Sequence, residues 1–247
     1  MSKFVHGTMV GKRRWAERLY SLRAVADVAP FQAGQFTKLA LDINGEVVGR
    51  PFSFVNAPGA TPLEFYFIEL PGGLLSQRLA VLEAGDTVWV SPKAAGFLTP
   101  SEVPDAKHLW LLSTGTGIGP FLSILKTEAP WRRFERVVLA HAVRRADELA
   151  YGEIIRDFTQ QHNEHFRFVP IVSREETDFA LRERIPEAIS DGRLDARAGA
   201  VIAPETSQVM LCGNPDMLRD ATEVLLARGL KKNRRNDPGH ITLESYW

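Results

Sequence analysis

The segment H-L-W-L-L-S-T-G-T-G-I-G-P, residues 108–120, decides the fold class of the second half of the chain. Its apolar first half predicts a buried strand, and the glycines that follow predict a tight turn into a helix. Glycines at such a turn let backbone N–H groups approach a phosphate, which the positive end of the helix also favours. The spacing G-x-G-x-G differs from the dinucleotide fingerprint G-x-G-x-x-G, so the turn equally fits a role in packing the helix on the sheet.

Downstream of this segment, strands alternate with helices. The predicted pairs are strand 108–113 with helix 120–126, strand 136–142 with helix 148–161, strand 166–173 with helix 185–190, and strand 209–212 with helix 215–227. Repeated strand–helix units with apolar strands are typical of a parallel sheet covered on both faces. The second half is therefore predicted to be a Rossmann-like α/β domain.

Upstream, apolar and polar residues alternate with the period of strands. The predicted strands are 19–25, 35–41, 46–55, 64–70 and 86–90. Asn44-Gly45 predicts a two-residue hairpin turn, and Ser76 is expected to be the N-cap of a short helix over 76–82. This pattern predicts an antiparallel barrel or sandwich. The polar stretch TPSEVPD (99–105) predicts the boundary between domains 1–100 and 101–247.

Composition narrows the classes of function. The 247 residues include 30 basic and 30 acidic side chains, so net charge gives no argument for nucleic-acid or membrane binding. The one cysteine, Cys212, excludes an internal disulfide and a cysteine-held iron–sulfur cluster. The N-terminus has no signal-like apolar region, and no apolar run is long enough to span a bilayer, so a cytoplasmic protein is expected. His162 and His165 lack further ligands, so no metal site is predicted.

Basic residues follow two of the predicted parallel strands. Arg144 comes after the second strand, where an NAD-binding domain would offer an acidic residue to the ribose. Ser173 and Arg174 follow the third strand, and Arg182 and Arg184 come shortly after. Guanidinium groups suit a 2′-phosphate, so the pattern favours NADP. For any one of these arginines taken alone a solvated loop charge is the more common explanation, but their recurrence at equivalent strand ends weakens it.

Five motifs occur in an order that resembles one known family. They are RPFS (50–53), G-x-x-S-x-x-L (73–79), GTGIGP (115–120), CGNPDM (212–217) and the terminal ESYW (244–247). The chain resembles the plant-type ferredoxin–NADP reductases, in particular the bacterial ferredoxin (flavodoxin)–NADP reductases. The resemblance implies a Greek-key, FAD-binding barrel over 1–100 and an NADP-binding domain over 101–247. It also implies electron transfer between NADPH and ferredoxin or flavodoxin through FAD.

The resemblance further implies a set of FAD contacts. Arg50 would contact the diphosphate, the Phe52 ring would lie against the isoalloxazine, and the Ser53 hydroxyl would lie near flavin N5. The full implied set is Arg50, Pro51, Phe52, Ser53, Tyr66, Phe67, Ile68, Glu69, Leu74, Leu75, Ser76, Thr116, Tyr246 and Trp247. The family usually has tyrosine where this chain has Phe52. The change loses a hydrogen bond that contributes about 1 kcal/mol, so weaker FAD binding is expected.

NADP contacts and catalytic residues are implied in the same way. The implied NADP set is Gly115, Gly117, Val143, Arg144, Ser173, Arg174, Arg184, Asn214 and Asp216. The implied catalytic set is Ser53, Cys212, Glu244 and Tyr246. Cys212 would face the nicotinamide, Glu244 would join Ser53 in handling protons, and Tyr246 would stack on the flavin. Trp247 would cover part of FAD.

The partner and the exact reaction leave alternatives open. The basic clusters 12–14 and 231–235 are either docking patches for acidic ferredoxin or flavodoxin or ordinary solvated charge. A monomer is expected. Two other interpretations remain: an NAD(P)H-dependent flavin reductase or oxygenase reductase component, and a catalytically silent nucleotide-binding sensor module.

Overall fold

The computed structural model of the chain describes residues 3–245, so the predictions for Tyr246 and Trp247 lie outside the described residues. The chain divides into two compact units. The first contains the residues up to Thr99 together with Gly119–Lys126. The second contains Pro100–Ile118 and the residues from Thr127 onward. Each unit is built on its own sheet.

The first unit contains a six-stranded antiparallel sheet. Its strands are β1 (Val5–Ala16), β2 (Leu19–Ala26), β3 (Phe36–Ile43), β4 (Glu46–Ser53), β5 (Leu63–Ile68) and β6 (Thr87–Val90). Their order is β4-β3-β6-β1-β2-β5. The end strands β4 and β5 are linked by an antiparallel bridge between Phe54 and Phe65 and by a 2.9 Å hydrogen bond from Val55 N to Glu64 O. This link closes the sheet, which confirms the predicted antiparallel barrel.

Aromatic and aliphatic side chains fill the barrel. Phe54 and Phe65 are at most 1% exposed, and Phe54 stacks on Phe31 with ring centroids 3.9 Å apart. Leu22 and Leu39 are fully buried beside them. Burying each such side chain contributes about 2 kcal/mol, so this cluster holds the strands in register.

Two local predictions in the first unit had different outcomes. The hairpin turn is confirmed, because Asn44 and Gly45 have φ values of 57° and 84° between β3 and β4. The N-cap at Ser76 is wrong: helix α1 spans Leu74–Val81 and its N-cap is Gly73. The Ser76 hydroxyl instead accepts a 3.0 Å hydrogen bond from Leu70 N, and so closes the turn that precedes the helix.

The second unit contains a five-stranded parallel sheet, which confirms the predicted α/β domain. Its strands are β7 (His108–Thr114), β8 (Arg136–Val143), β9 (Phe166–Val172), β10 (Ser207–Gly213) and β11 (Ile241–Ser245), in the order β11-β10-β7-β8-β9. Its helices are α3 (Ala129–Arg133), α4 (Gly152–His162), α5 (Ile185–Ser190), α6 (Arg193–Ala198) and α7 (Pro215–Ala227), whereas α2 (Ile118–Leu125), which follows β7 in the chain, lies almost wholly in the first unit. None of the helices within residues 3–245 has the length and apolar character to cross a membrane.

The segment predicted as a polar boundary is fastened to the second unit. Arg133 on α3 donates to Pro100 O at 2.6 Å and to Val103 O at 2.7 Å, and it forms a 2.8 Å ion pair with Asp105. Asn233 donates to Glu102 O at 2.7 Å. These contacts hold the segment in place despite its polar composition.

Candidate active site

The carboxyl ends of the parallel strands gather most of the residues predicted to bind NADP. Strands β8 and β9 follow β7 on one side, whereas β10 lies on its other side. The strand order therefore reverses between β7 and β10, and ligands of open parallel sheets bind in the crevice at such a point. The residues at this edge are Gly115, Thr116 and Gly117 after β7, Val143 and Arg144 at the end of β8, Ser173 and Arg174 after β9, Cys212 and Asn214 around the end of β10, and Glu244 near the end of β11.

The glycine-rich turn approaches β10 very closely. A side-chain carbon at Gly117 would collide with the carbonyl group of Cys212. Gly213 has φ 139°, and a side-chain carbon there would collide with Thr114. Thr114 Oγ1 accepts a 2.9 Å hydrogen bond from Asn214 N, which joins the two strand ends. Glycine is required here because the two backbones touch.

His141 contacts the other side of the same turn, a role that was not predicted from the sequence. It lies on β8 and is fully buried, and its Nε2–H donates to Gly115 O at 3.0 Å. Burial lowers the pKa of His141 to about 4, although the hydrogen bond to Gly115 opposes this shift. The one sequence signal for this role is a histidine inside the apolar run RVVLAHA. A histidine in such a run is as often a buried core residue with satisfied hydrogen bonds as a functional one.

Neutral His141 makes the stability of the protein depend on pH. The folded pKa lies below the ordinary value of 6.5, so its contribution is complete above pH 6.5 and is lost as the pH falls toward 4. We expect the free energy of unfolding of wild type to fall by about 2 kcal/mol more than that of His141→Gln between pH 7.5 and pH 5. Urea unfolding at both pH values measures this difference. Equal falls would show that His141 does not titrate on unfolding.

The arginines that follow the strands fall into two groups. Arg145 lies 3.6 Å from both Asp147 and Glu175, and Arg182 lies 3.5 Å from Glu176. The other group is exposed, and its members form no ion pair within residues 3–245: Arg144, Arg174 and Arg184. These three exposed guanidiniums are therefore available to bind an anionic ligand through charge-assisted hydrogen bonds.

Backbone contacts bring two of these arginines together. Ser173 N donates to Val143 O at 3.0 Å, and Arg174 N donates to Arg144 O at 2.9 Å. The Ser173 hydroxyl also donates to Val143 O, at 3.2 Å. Arg184 is further along the chain, at the N-cap of α5. The loops after β8 and β9 therefore present Arg144, Ser173 and Arg174 side by side.

Three other predicted residues at this edge have structural contacts. Asn214 Oδ1 accepts from Asp216 N at 2.8 Å and from Met217 N at 3.3 Å, which caps α7. Asp216 forms a 2.8 Å ion pair with Arg219. Cys212 is fully buried in the sheet, in register with Ser113 and Glu244. The nucleotide contacts of these residues stay predictions.

In the first unit, β4 carries the predicted FAD residues Arg50, Pro51, Phe52 and Ser53. Arg50 is exposed, and its Nη1 donates to the neighbouring Gly49 O at 2.9 Å. The Phe52 ring meets the Phe67 ring edge-on at 6.1 Å, and Ser53 is only 5% exposed. Within the described chain, residues 46–53 of β4 pair only with β3, and the bridge to β5 comes just after them at Phe54, so the outer edge of β4 itself is unpaired.

Strand β5 and helix α1 carry the rest of the predicted FAD set in this unit. Tyr66 and Phe67 are buried, and Ile68 and Glu69 are half-buried. Leu74 is 65% exposed at the start of α1, whereas Leu75 is buried. No side chain caps the first amides of this helix. Uncapped N–H groups at a helix start can bind an anion such as a diphosphate.

The comparisons with known proteins agree with this geometry. The family model described as the oxidoreductase NAD-binding domain matches residues 111–223. A flavodoxin/ferredoxin–NADP reductase of Escherichia coli (strain K12) is 45% identical over 248 residues, which cover 100% of both chains. The protein of the same name from Shigella flexneri is also 45% identical over the full length of both chains. This chain belongs to the flavodoxin/ferredoxin–NADP reductase family.

A solved structure extends the likeness to the fold of the whole reductase. A ferredoxin NADP+ reductase from Neisseria gonorrhoeae, crystallised with bound FAD and NADP, matches 100% of both chains with a TM-score of 0.94 and 31% identity. The resemblance inferred from the five motifs is therefore confirmed, as is the two-part fold.

In this member of the flavodoxin/ferredoxin–NADP reductase family, the first basic cluster has contacts within its own unit. Lys12 Nζ donates to Ala80 O at 2.6 Å and to Leu82 O at 2.7 Å, at the C-terminal end of α1. The Arg13 guanidinium lies 3.8 Å from the centre of the Trp15 ring. Arg14 donates to Ala16 O at 3.2 Å and to Glu17 O at 2.9 Å. These contacts favour a structural role, and docking stays a prediction.

The second cluster is partly engaged as well. Lys231 forms a 3.1 Å ion pair with Asp237, and Arg235 forms a 2.7 Å ion pair with Glu102. Both contacts lie within the second unit. They reduce the positive charge that the cluster offers to an acidic partner.

Proposed function

We propose that this protein is an FAD-dependent ferredoxin/flavodoxin–NADP+ reductase that transfers electrons between NADPH and ferredoxin or flavodoxin. The proposal of NADPH, in preference to NADH, rests on the arginines at the sheet edge that bears the glycine-rich turn. Arg144, Arg174 and Arg184 follow the strands there and form no ion pair within the described chain. The NADPH would lie on the domain 101–247, with its 2′-phosphate near these arginines and Ser173. The full-length identity of 45% to reductases supports the acceptor class.

The residues of the first domain, 1–100, fit FAD. The uncapped start of α1 and the exposed Arg50 supply donors for a diphosphate, and the unpaired edge of β4 leaves room for a flat ring beside Phe52. When bound, FAD takes up two electrons as a hydride and gives them up one at a time, which suits a one-electron protein acceptor. The chain itself would bind and orient the cofactor.

Four residues are proposed to act at the reacting atoms. Ser53 would hold a proton near flavin N5, and Glu244 would exchange that proton with solvent. Cys212 would pack beside the nicotinamide, because its complete burial suits packing better than nucleophilic attack. Tyr246 would stack on the flavin. We further propose that the protein acts as a cytoplasmic monomer.

A direct test uses the purified protein. It should be yellow or become yellow with FAD, and NADPH should reduce the flavin much faster than NADH in a stopped-flow experiment. Reduced protein should then pass electrons to ferredoxin or flavodoxin. Equal or faster reduction by NADH would favour a flavin reductase or an oxygenase reductase component. Protein that never acquires FAD would favour a nucleotide-binding sensor module.

Substitution of Ser53 tests its proposed role. We expect Ser53→Ala to slow reduction of the flavin by NADPH about tenfold, since a positioned proton-handling group contributes at least this much, while the dissociation constant for NADP+ changes less than twofold. Transient absorbance and equilibrium titration measure the two quantities. Ser91→Ala is the matched control, because Ser91 lies in the same unit and its hydroxyl donates, among residues 3–245, to Lys93 O alone, at 3.2 Å. A normal rate in Ser53→Ala would remove Ser53 from the mechanism.

A further inference from the structure

Two carboxylates hold three consecutive backbone amides at the end of β8. Glu148 Oε2 accepts from Arg144 N at 2.8 Å and from Arg145 N at 3.2 Å. Glu175 Oε1 accepts from Ala146 N at 2.5 Å. Successive amides of this kind often bind a phosphate. Since carboxylates already occupy them here, a phosphate at this loop must be held by side chains.

Glu175 belongs to a different loop from the amide that it binds. It directly follows Arg174 after β9, whereas Ala146 follows Arg144 and Arg145 after β8. The same carboxylate lies 3.6 Å from the Arg145 guanidinium, and the Glu175 side chain is 29% exposed. The two loops are thus joined by backbone hydrogen bonds and, at their outer end, by this one side chain.

The arginines of these two loops differ in whether a carboxylate pairs with them. Glu175 pairs with Arg145, whereas Arg144 and Arg174 on either side form no ion pair in the described part of the chain. The distance between these two guanidiniums depends on how firmly the loops are held together. A rigidly placed pair of cations binds a phosphate more tightly than the same two cations on separate mobile loops.

We propose that Glu175 is a positioning residue that fixes Arg144 relative to Arg174 and thereby sets the affinity for a nucleotide 2′-phosphate. The proposal rests on the proposed function and adds to it a determinant of specificity that does not touch the nucleotide. The expected change in affinity is opposite to the effect of charge, because loss of this acidic residue next to the arginines would weaken the binding of an anion. An effect of charge alone would strengthen that binding.

The test compares two probes on the FAD-loaded protein. Binding of 2′-phospho-AMP and of AMP is measured by calorimetry for wild type, Glu175→Ala, Glu175→Gln and Glu176→Ala. We expect Glu175→Ala to weaken 2′-phospho-AMP binding about tenfold, the loss of roughly one well-placed charge-assisted contact, and to leave AMP binding within twofold. Glu175→Gln should bind close to wild type, because the amide oxygen can still accept from Ala146 N.

Glu176→Ala is the matched control for charge, since Glu176 is the next residue and pairs with the exposed Arg182. It should not weaken the binding of either probe. Tighter or unchanged binding of 2′-phospho-AMP to Glu175→Ala would overturn the proposal, and so would an equal loss for AMP. If wild type itself does not distinguish 2′-phospho-AMP from AMP, the proposed preference for NADPH fails as well.

Discussion

Replacement of Arg144 and Arg174 together by alanine should remove the preference of this reductase for NADPH over NADH. Each guanidinium is expected to donate a charge-assisted hydrogen bond to the 2′-phosphate, and each such bond contributes about 1.5–3 kcal/mol. Loss of both should lower kcat/KM for NADPH by about 10²- to 10⁴-fold. Because NADH has no 2′-phosphate, its kcat/KM should change less than about threefold.

Steady-state kinetics with both nucleotides, at fixed ionic strength, measure this change. Arg182→Ala is the matched control: Arg182 lies in the segment that follows β9, but its guanidinium is 3.5 Å from Glu176. This control should keep the preference for NADPH. An equal fall in kcat/KM for NADH in the double variant would mean that the arginines support the fold of the loops and do not recognise the phosphate.

Most of the fold could be predicted from periodicity, and the largest omission has a physical cause. Strand β1 spans Val5–Ala16 but was not predicted. Its pairing with β2 shifts register between Met9 and Gly11 and again between Arg14 and Ala16. Burial alternates from Val5 to Gly11, but glycines occupy the inward positions 7 and 11 and Val10 is exposed. Residues 12–14 are then all exposed, so apolar side chains do not mark the buried face of this strand.

The candidate site was predictable in position but not in detail. Residues that follow parallel strands must meet at one edge, so Arg144, Ser173 and Arg174 could be placed together from chain order alone. Which arginines are paired depends on the side chains of Glu175 and Glu176, and no sequence pattern fixes their direction. The same limit applies to His141, whose partner is a backbone carbonyl 26 positions away along the chain.

The predicted N-cap at Ser76 failed for a similar reason, because contacts distant in the chain set where the helix begins. A serine shortly after a double glycine favours an N-cap, but α1 already begins at Leu74. Leu75 and Leu79 are both buried in the barrel, and these two positions fix where the helix lies. Packing of the apolar face therefore outweighs a cap that contributes about 1 kcal/mol.

Two alanine substitutions in the glycine-rich turn should differ sharply. Gly117→Ala would place a carbon against the carbonyl group of Cys212, which is backbone and cannot rotate away. We expect it to lower the free energy of unfolding by about 3 kcal/mol or more, as overpacking against rigid backbone does. The ends of β7 and β10 would have to separate, so binding of NADP+ should also be lost.

Gly115→Ala is the comparison, because it changes the same turn without a collision. Gly115 has φ 52°, and nothing lies within 4 Å of an added side-chain carbon. Only the left-handed conformation is penalised, at about 1 kcal/mol. Urea unfolding and NADP+ titration of both variants measure the difference. Equal destabilisation would show that the contact at Gly117 is relieved at little cost, whereas a large excess for Gly117→Ala would show that the close approach of two strand ends requires glycine there.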